Sequence, residues 1–523
     1  MKYRYIFILL LLISSTFTGC STIQKIAEFN LDHLNVEEEV TERDYEKLPE
    51  STYIKDTIEL SMDNAKTLNP LDGVAYNVDQ GLKLVYESLF SPDEYKNIEP
   101  LLVSEYEQIN ETTYRLTLKD QVTFHNGELL TAEDVVFSYD YIKTQANSGY
   151  AYVNTYIQNL TAEAENTVVV EFQQKDRYNL YALTFPILSR AYLESDNYDK
   201  TFPIGTGPYQ CEHFQSMIEL VLNKNPNYHG QTANVDKVRF TLVRSFAEEY
   251  NMFMAKRIDL IAPVLTEWPN YSDDQNIQKK QYLSPYFYYI GFNHTNVFYQ
   301  DVNVRRYYSS LIDYSHINRT VFLNHLFFTP LPMHIESEIQ GRLKQYDVFD
   351  QSNTKVTSII NTEAIRFIYL NEDHTQENII KIIQASIDDE RDNIEFIGLS
   401  REEYYQALID GSFDMYLNTF QASLIPSLNQ VLASNGRYNY GKYSNQNIDG
   451  LLASYRQVET DEQYINQLNT LSQWVMDEIP IIPIGFLENG MFIHNKIEGA
   501  IGPNYFHVYK NIQDIKITDY TDY

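Results

Sequence analysis

A mixed α/β fold made of more than one structural unit is what this sequence predicts, on three observations. Segments of alternating apolar residues are separated by segments with helical apolar spacing, the pattern of sheets covered by helices. The chain has 523 residues, more than one core usually serves, so two or three units are expected. With 43% hydrophobic and 14% aromatic residues, it has the material to fill them.

In chain order, the first feature is a leader. Lys2 and Arg4 precede an apolar run from Tyr5 to Ile13, and Phe17-Thr18-Gly19 leads into Cys20. Small residues before a cysteine suit a signal peptidase, after which the Cys20 thiol takes a diacylglycerol. The run falls short of the roughly 20 residues of a membrane span. The expectation is a lipoprotein signal peptide over 1–19, lipidation at Cys20, and attachment to the extracytoplasmic face of the cell membrane by that lipid alone. An ordinary cleaved signal with a chance cysteine is the alternative. Residues 20–52, rich in acidic side chains (Glu37, Glu38, Glu39, Glu42, Asp44, Glu46), read as a solvated tether.

From Tyr53 onward, Ile54, Ile58 and Leu60 suggest a strand, and Pro70 with Gly73 breaks the pattern. Val78, Leu82, Val85 and Leu89 have the spacing of a helix over 78–90. Alternation predicts strands at Tyr114–Leu118 and Val168–Phe172. Between them Thr131 with Asp134 resembles a capping box ahead of Val135, Val136 and Phe137. Further strands are expected at 218–222, 238–242, 286–292, 365–370 and 414–417, and helices around 302–313, 374–388, 402–410 and 461–478.

Charge narrows the partners. Removing residues 1–19 deletes Lys2 and Arg4, leaving 38 basic against 72 acidic residues, a balance of −34. So acidic a chain is repelled by nucleic acid and by anionic lipid. With Cys20 used, Cys211 is the remaining cysteine, so no intramolecular disulfide forms. Forty-four tyrosines fit either an amphipathic recognition surface or compositional drift in a chain also rich in Ile and Asn.

Catalytic and cofactor motifs are missing: there is no G-x-S-x-G, H-E-x-x-H, Walker loop or C-x-x-C, and Gly205-Thr206-Gly207 runs into Pro208 rather than a dinucleotide loop. The dispersed histidines, such as His125 and His316, read as structural and not as metal ligands. The expectation is a non-enzyme without cofactor or metal.

Five ordered segments carry a resemblance. They are Leu68 to Phe90 (LNPLDGVAYNVDQGLKLVYESLF), Val122 to Ile142 (VTFHNGELLTAEDVVFSYDYI), Ile204 to Tyr209 (IGTGPY) with Asn223 to Gly230, Tyr288 to Ile317, and a last group at Asp414 to Ser427, Tyr440 to Leu452 and Glu478 to Phe486. Together they resemble the extracytoplasmic solute-binding proteins of peptide ABC transporters, the oligopeptide- and dipeptide-binding group, over nearly the whole chain from Tyr53. Within them, Asn126-Gly127 supplies a tight turn, and Gly205 and Gly207 let the chain turn sharply.

The resemblance implies a two-lobed periplasmic-binding-protein-like fold with an extra subdomain on the first lobe and a hinge between lobes. It assigns 53–90, 203–285 and 482–523 to lobe I, 91–202 to the extra subdomain and 286–481 to lobe II, with crossings near Pro285–Gly291 and Pro480–Phe486. It further implies a monomer that captures peptides in the interlobe cleft and delivers them to ABC permease subunits for import. Asn69, Tyr76, Asn77, Phe420, Gln421, Ser423, Asn439 and Tyr440 are the implied wall residues. One departure stands out: Ser423 occupies the place where peptide-binding relatives carry an aspartate for the ligand's ammonium. Either another acid serves, or the ligand lacks a free amine. A sugar or metal-complex ligand, and a peptide-sensing or chaperone lipoprotein without transport, are the other functions open to such a chain.

Overall fold

The computed structural model describes residues 56–262, 276–346, 364–387, 393–499 and 501–517. The leader, Cys20 and the tether lie outside them. Among the described residues no helix is long and apolar enough to cross a membrane.

Three principal sheets organise the chain. The first has the order Thr57–Asp63, Lys237–Val243, Glu219–Lys224, Tyr209–Gln215, its first pair parallel and the others antiparallel. Alternation sets its faces: Ile58, Leu60 and Met62 are wholly buried. The second is antiparallel, in the order Val103–Gln108, Thr113–Leu118, Thr167–Phe172, Ile157–Ala164. Helix Ala132–Thr144 packs on it through buried Val135, Tyr139 and Ile142, and Tyr139 donates to the Ile157 carbonyl at 2.9 Å. Its start is held as the sequence predicts, with Asp134 accepting from the Thr131 amide (2.9 Å) and hydroxyl (2.8 Å).

The third sheet has seven strands around two long antiparallel ones, Ile277–Phe292 and Ile481–His494. Met415–Gln421 flanks the former, followed by the parallel strands Ile365–Leu370 and Ile394–Leu399. At the other end Leu260–Ile261 pairs with Ile493 and Phe492. There the third sheet is tied to the first, since the Asp259 amide donates to the Glu59 carbonyl (2.7 Å) and the Asp259 carboxylate accepts from the Glu59 amide (2.7 Å). Between the two ends the pairing slips twice, between Leu283 and Phe287 and between Tyr288 and Tyr289. Gly485, at φ +130°, sits beside the slip, where a Cβ would lie 2.6 Å from the Phe327 carbonyl.

The expectation for residues 78–90 changes. The helix over 78–90 is instead Tyr76–Leu82, because the next carbonyls are used elsewhere: Leu84 accepts from the Tyr209 amide (3.1 Å) and Val85 from the Gly207 amide (2.8 Å). Gly205 and Gly207, in a segment that also bends at 206–208, serve this close approach. A Cβ on them would stand 2.1 Å from the Val85 oxygen and 2.6 Å from the Leu84 oxygen respectively. His125 clamps the same loop, its Nδ1 accepting from the Gly205 amide (3.3 Å) and its Nε2 donating to the Gly207 carbonyl (3.0 Å). Burial depresses its pKa, in keeping with this neutral, structural role.

Much of the tyrosine content is core: nine tyrosines, among them Tyr178, Tyr289 and Tyr464, rank with the largest fully buried side chains. A buried tyrosine needs a partner for its hydroxyl, and Tyr178 finds two, Glu336 and Tyr464, each at 2.9 Å.

Candidate functional site

A cavity of about 440 Å³ lies where distant segments converge. Helix Tyr76–Leu82 and the residues after it supply Tyr76, Asp79, Gln80, Lys83 and Glu87; the 149–152 loop supplies Tyr150 and Tyr152. From the far side come Gln421, Ala422, Ser423 and Leu424, at the end of strand Met415–Gln421, and the segment Tyr505–His507 closes the ring. Pro70 breaks the chain just before the helix, after Asn69 has capped a short 3-10 turn. That geometry turns the helix toward the cavity.

The walls are aromatic and internally braced. Tyr76 stacks on Tyr505 with centroids 4.6 Å apart, and its hydroxyl donates to the Tyr505 carbonyl at 2.6 Å. Gln421 reaches across to donate to the Tyr505 hydroxyl at 3.1 Å. Gln80 accepts from the Val508 amide at 3.0 Å, fixing the tail against the helix. Burial pushes the Tyr152 hydroxyl up to about 12, so it stays a neutral donor.

Polar groups are few. Glu87 is buried and accepts from Thr206, Tyr228 and His229, each at 2.8 Å. Asp79 takes the Tyr150 hydroxyl at 2.9 Å and pairs with Lys83, one turn on. His507 presents a buried Nε2 with no hydrogen-bond partner. Burial, reinforced by Lys83 and Lys510, holds the His507 imidazole well below its usual range, hence neutral.

Of the residues expected from sequence, Tyr76, Gln421 and Ser423 line this cavity. Ser423 spends its hydroxyl on the Ile425 carbonyl at 2.6 Å. The remaining ones stand off the lining. Asn69 accepts from the Leu71 amide at 3.0 Å as a cap; Asn77 Oδ1 is buried without a partner. Phe420 packs edge-on to Tyr438 at 5.3 Å, and Tyr440 edge-on to Tyr416 at 6.1 Å. Asn439 staples its own loop, donating to the carbonyls of Ala433 (3.0 Å), Ser434 (3.3 Å) and Tyr443 (2.8 Å). Sequence reasoning passed over Asp79, Lys83, Tyr150, Tyr505 and His507. The first two lie inside the recognised segment Leu68 to Phe90; the aromatic run Tyr505-Phe506-His507 was the available signal for the tail.

Among the described residues no group of three or more His, Cys, Asp or Glu side chains is placed to hold a metal ion. Cys211 is buried, with its thiol pushed up to about 12 by burial, and plays no part here.

Comparison with known proteins places these features. Residues 97–442, more than half of the chain, match the family model described as bacterial extracellular solute-binding proteins, family 5. The oligopeptide-binding protein AppA of Bacillus subtilis is 20% identical over 456 residues, covering 80% of this chain and 83% of its own. The nickel-binding protein NikA of Staphylococcus aureus is 22% identical over 448 residues, covering 81% and 87%. Among solved structures, the periplasmic murein tripeptide binding protein MppA in its unliganded open form superposes with a TM-score of 0.74 at 17% identity, over 89% of this chain and 98% of that one.

Proposed function

Because this chain belongs to the family 5 bacterial extracellular solute-binding proteins, with their two-lobed mixed α/β fold, we propose that it captures a short peptide in the cavity between its lobes and hands it to an ABC permease for import. The observation that carries this reading is the cavity itself. It is walled by tyrosines and carries a few convergent polar groups. Its volume of about 440 Å³ lies low in the range of about 300–1,000 Å³ usual for small-ligand sites, a space for a peptide of a few residues. It binds rather than transforms. AppA supports the peptide reading by its name.

Attachment through a lipid on Cys20, a monomeric state, and the division into lobe I (53–90, 203–285, 482–523), extra subdomain (91–202) and lobe II (286–481) belong to the same proposal. The register slips at Leu283–Tyr289 and the open φ of Gly485 support a hinge in the two long strands.

One observation favours a second reading, capture of a metal–amino-acid complex: neutral His507 offers an unpartnered Nε2 to the cavity. A lone imidazole suffices for a complex that brings its own ligands, and NikA binds nickel. Titration calorimetry of the protein with a random tripeptide pool and, separately, with Ni(II)–histidine decides between them. Saturable heat with the peptide pool alone is the expected result. Binding of Ni(II)–histidine alone, abolished in His507→Ala, would replace the peptide reading with the second.

A further inference from the structure

We infer that Asp79 is the acceptor for a free ammonium group on the ligand, so that the peptide's amino end is seated on the first lobe and not at the Ser423 loop. This rests on the peptide reading above.

A free peptide carries an ammonium group, and burying it without a countercharge is costly. The cavity therefore needs an acidic side chain with unused acceptor sites. Its lining holds two carboxylates, Asp79 and Glu87. Glu87 already receives Thr206, Tyr228 and His229, and its residue is 4% exposed. Ser423 has no charge, and its hydroxyl is turned back onto Ile425.

Asp79 is different. Its Oδ1 takes one hydrogen bond, from Tyr150. Its Oδ2 is held by Lys83 and, at 3.4 Å, by Gln80. A carboxylate has about four acceptor sites, so room remains on the oxygen that faces Tyr150. The Lys83 contact is an i,i+4 helix pair with both side chains partly exposed, a type that contributes little and yields easily to a competing cation.

A second observation points the same way. His507 lines the same cavity, and its Nε2 is buried without a hydrogen-bond partner. Gln80, next in sequence to Asp79, binds the Val508 amide, next in sequence to His507, so helix and tail are fixed side by side. A neutral imidazole nitrogen can accept a hydrogen bond from an ammonium without adding positive charge. Asp79 with the Tyr150 hydroxyl on the helix side, and His507 on the tail side, thus supply acceptors to one cavity. The side-chain walls are left for contacts that tolerate many sequences.

The test is titration of the full protein with a random tripeptide pool carrying free amino termini and with the same pool N-acetylated. Wild type is expected to prefer the free pool by about tenfold to a hundredfold, the worth of a hydrogen-bonded charge. Asp79→Asn should lose that preference while holding the acetylated pool as before. Lys83→Gln, which removes the competing cation, should widen it. Equal affinity of wild type for both pools, or an unchanged preference in Asp79→Asn, overturns the assignment to Asp79 while leaving peptide capture standing. A preference that narrows in Lys83→Gln also overturns it. Failure of both pools to bind overturns the peptide reading itself.

Discussion

At Gly205 and Gly207 main chain lies against main chain. The missing side chains are what let the loop donate to the Leu84 and Val85 carbonyls. A methyl group at Gly207 would meet three backbone atoms of Leu84 and Val85 within 2.8 Å, and backbone cannot rotate away as a side chain can. Gly207→Ala is therefore expected to destabilise the protein by about 1–3 kcal/mol, read from chemical denaturation, whereas Gly341→Ala, where a Cβ meets nothing within 4 Å, should cost far less. Equal effects would refute this reading of the loop. Such pairings of distant residues are what sequence conceals. His125 was legible as structural, but its partners lie some 80 positions away. Asp79 and His507 were passed over because neither forms a local pattern with the other. Tyr76, Gln421 and Ser423 were reachable because they follow strand or loop ends whose order the family resemblance supplied.

At the level of elements, local chemistry reads well where it is self-contained. Helix Asp461–Glu478 keeps the expected limits because Thr460 and Gln463 cap it reciprocally, and strand Ile365–Leu370 keeps its limits too. Strand Ile277–Phe292 reads as half its length, since Gln278, Lys279, Lys280 and Gln281 interrupt the apolar alternation on a ribbon paired along most of its length with Ile481–His494. The segment 174–178 is the clearest case of an element defined by distant contacts. Asp176 pairs with Arg456 at 2.6 Å, with side chains 1% and 11% exposed. Arg177 reaches Asp461 at 2.8 Å and lies over the Tyr464 ring at 4.0 Å, and the Arg177 amide donates to the Arg456 carbonyl at 2.9 Å. Burial drives the Asp176 carboxyl up more strongly than Arg456 draws it down, so the pair fixes geometry more than it adds stability. Asp176→Asn leaves a buried guanidinium without its countercharge and is expected to cost about 3–5 kcal/mol in thermal or denaturant unfolding. Joint replacement by Leu at 176 and Met at 456 should cost much less. A double variant as unstable as the single one would contradict this.

At the scale of the molecule, the described residues form three principal sheets and a cavity walled largely by aromatic side chains. Apolar periodicity announced the mixed α/β class, composition the excess of acid, and ordered motifs the family. The cavity's chemistry needed the fold, because its walls come from segments as far apart as Tyr76 and Tyr505. The most direct measurement is mass spectrometry of small molecules released on denaturing the purified protein, compared with the cavity-filling variant Ser423→Trp. Peptides of a few residues, stoichiometric in the wild type and lost in the variant, are what this account predicts. Their absence from wild type, or their equal release from a folded Ser423→Trp protein, would contradict it.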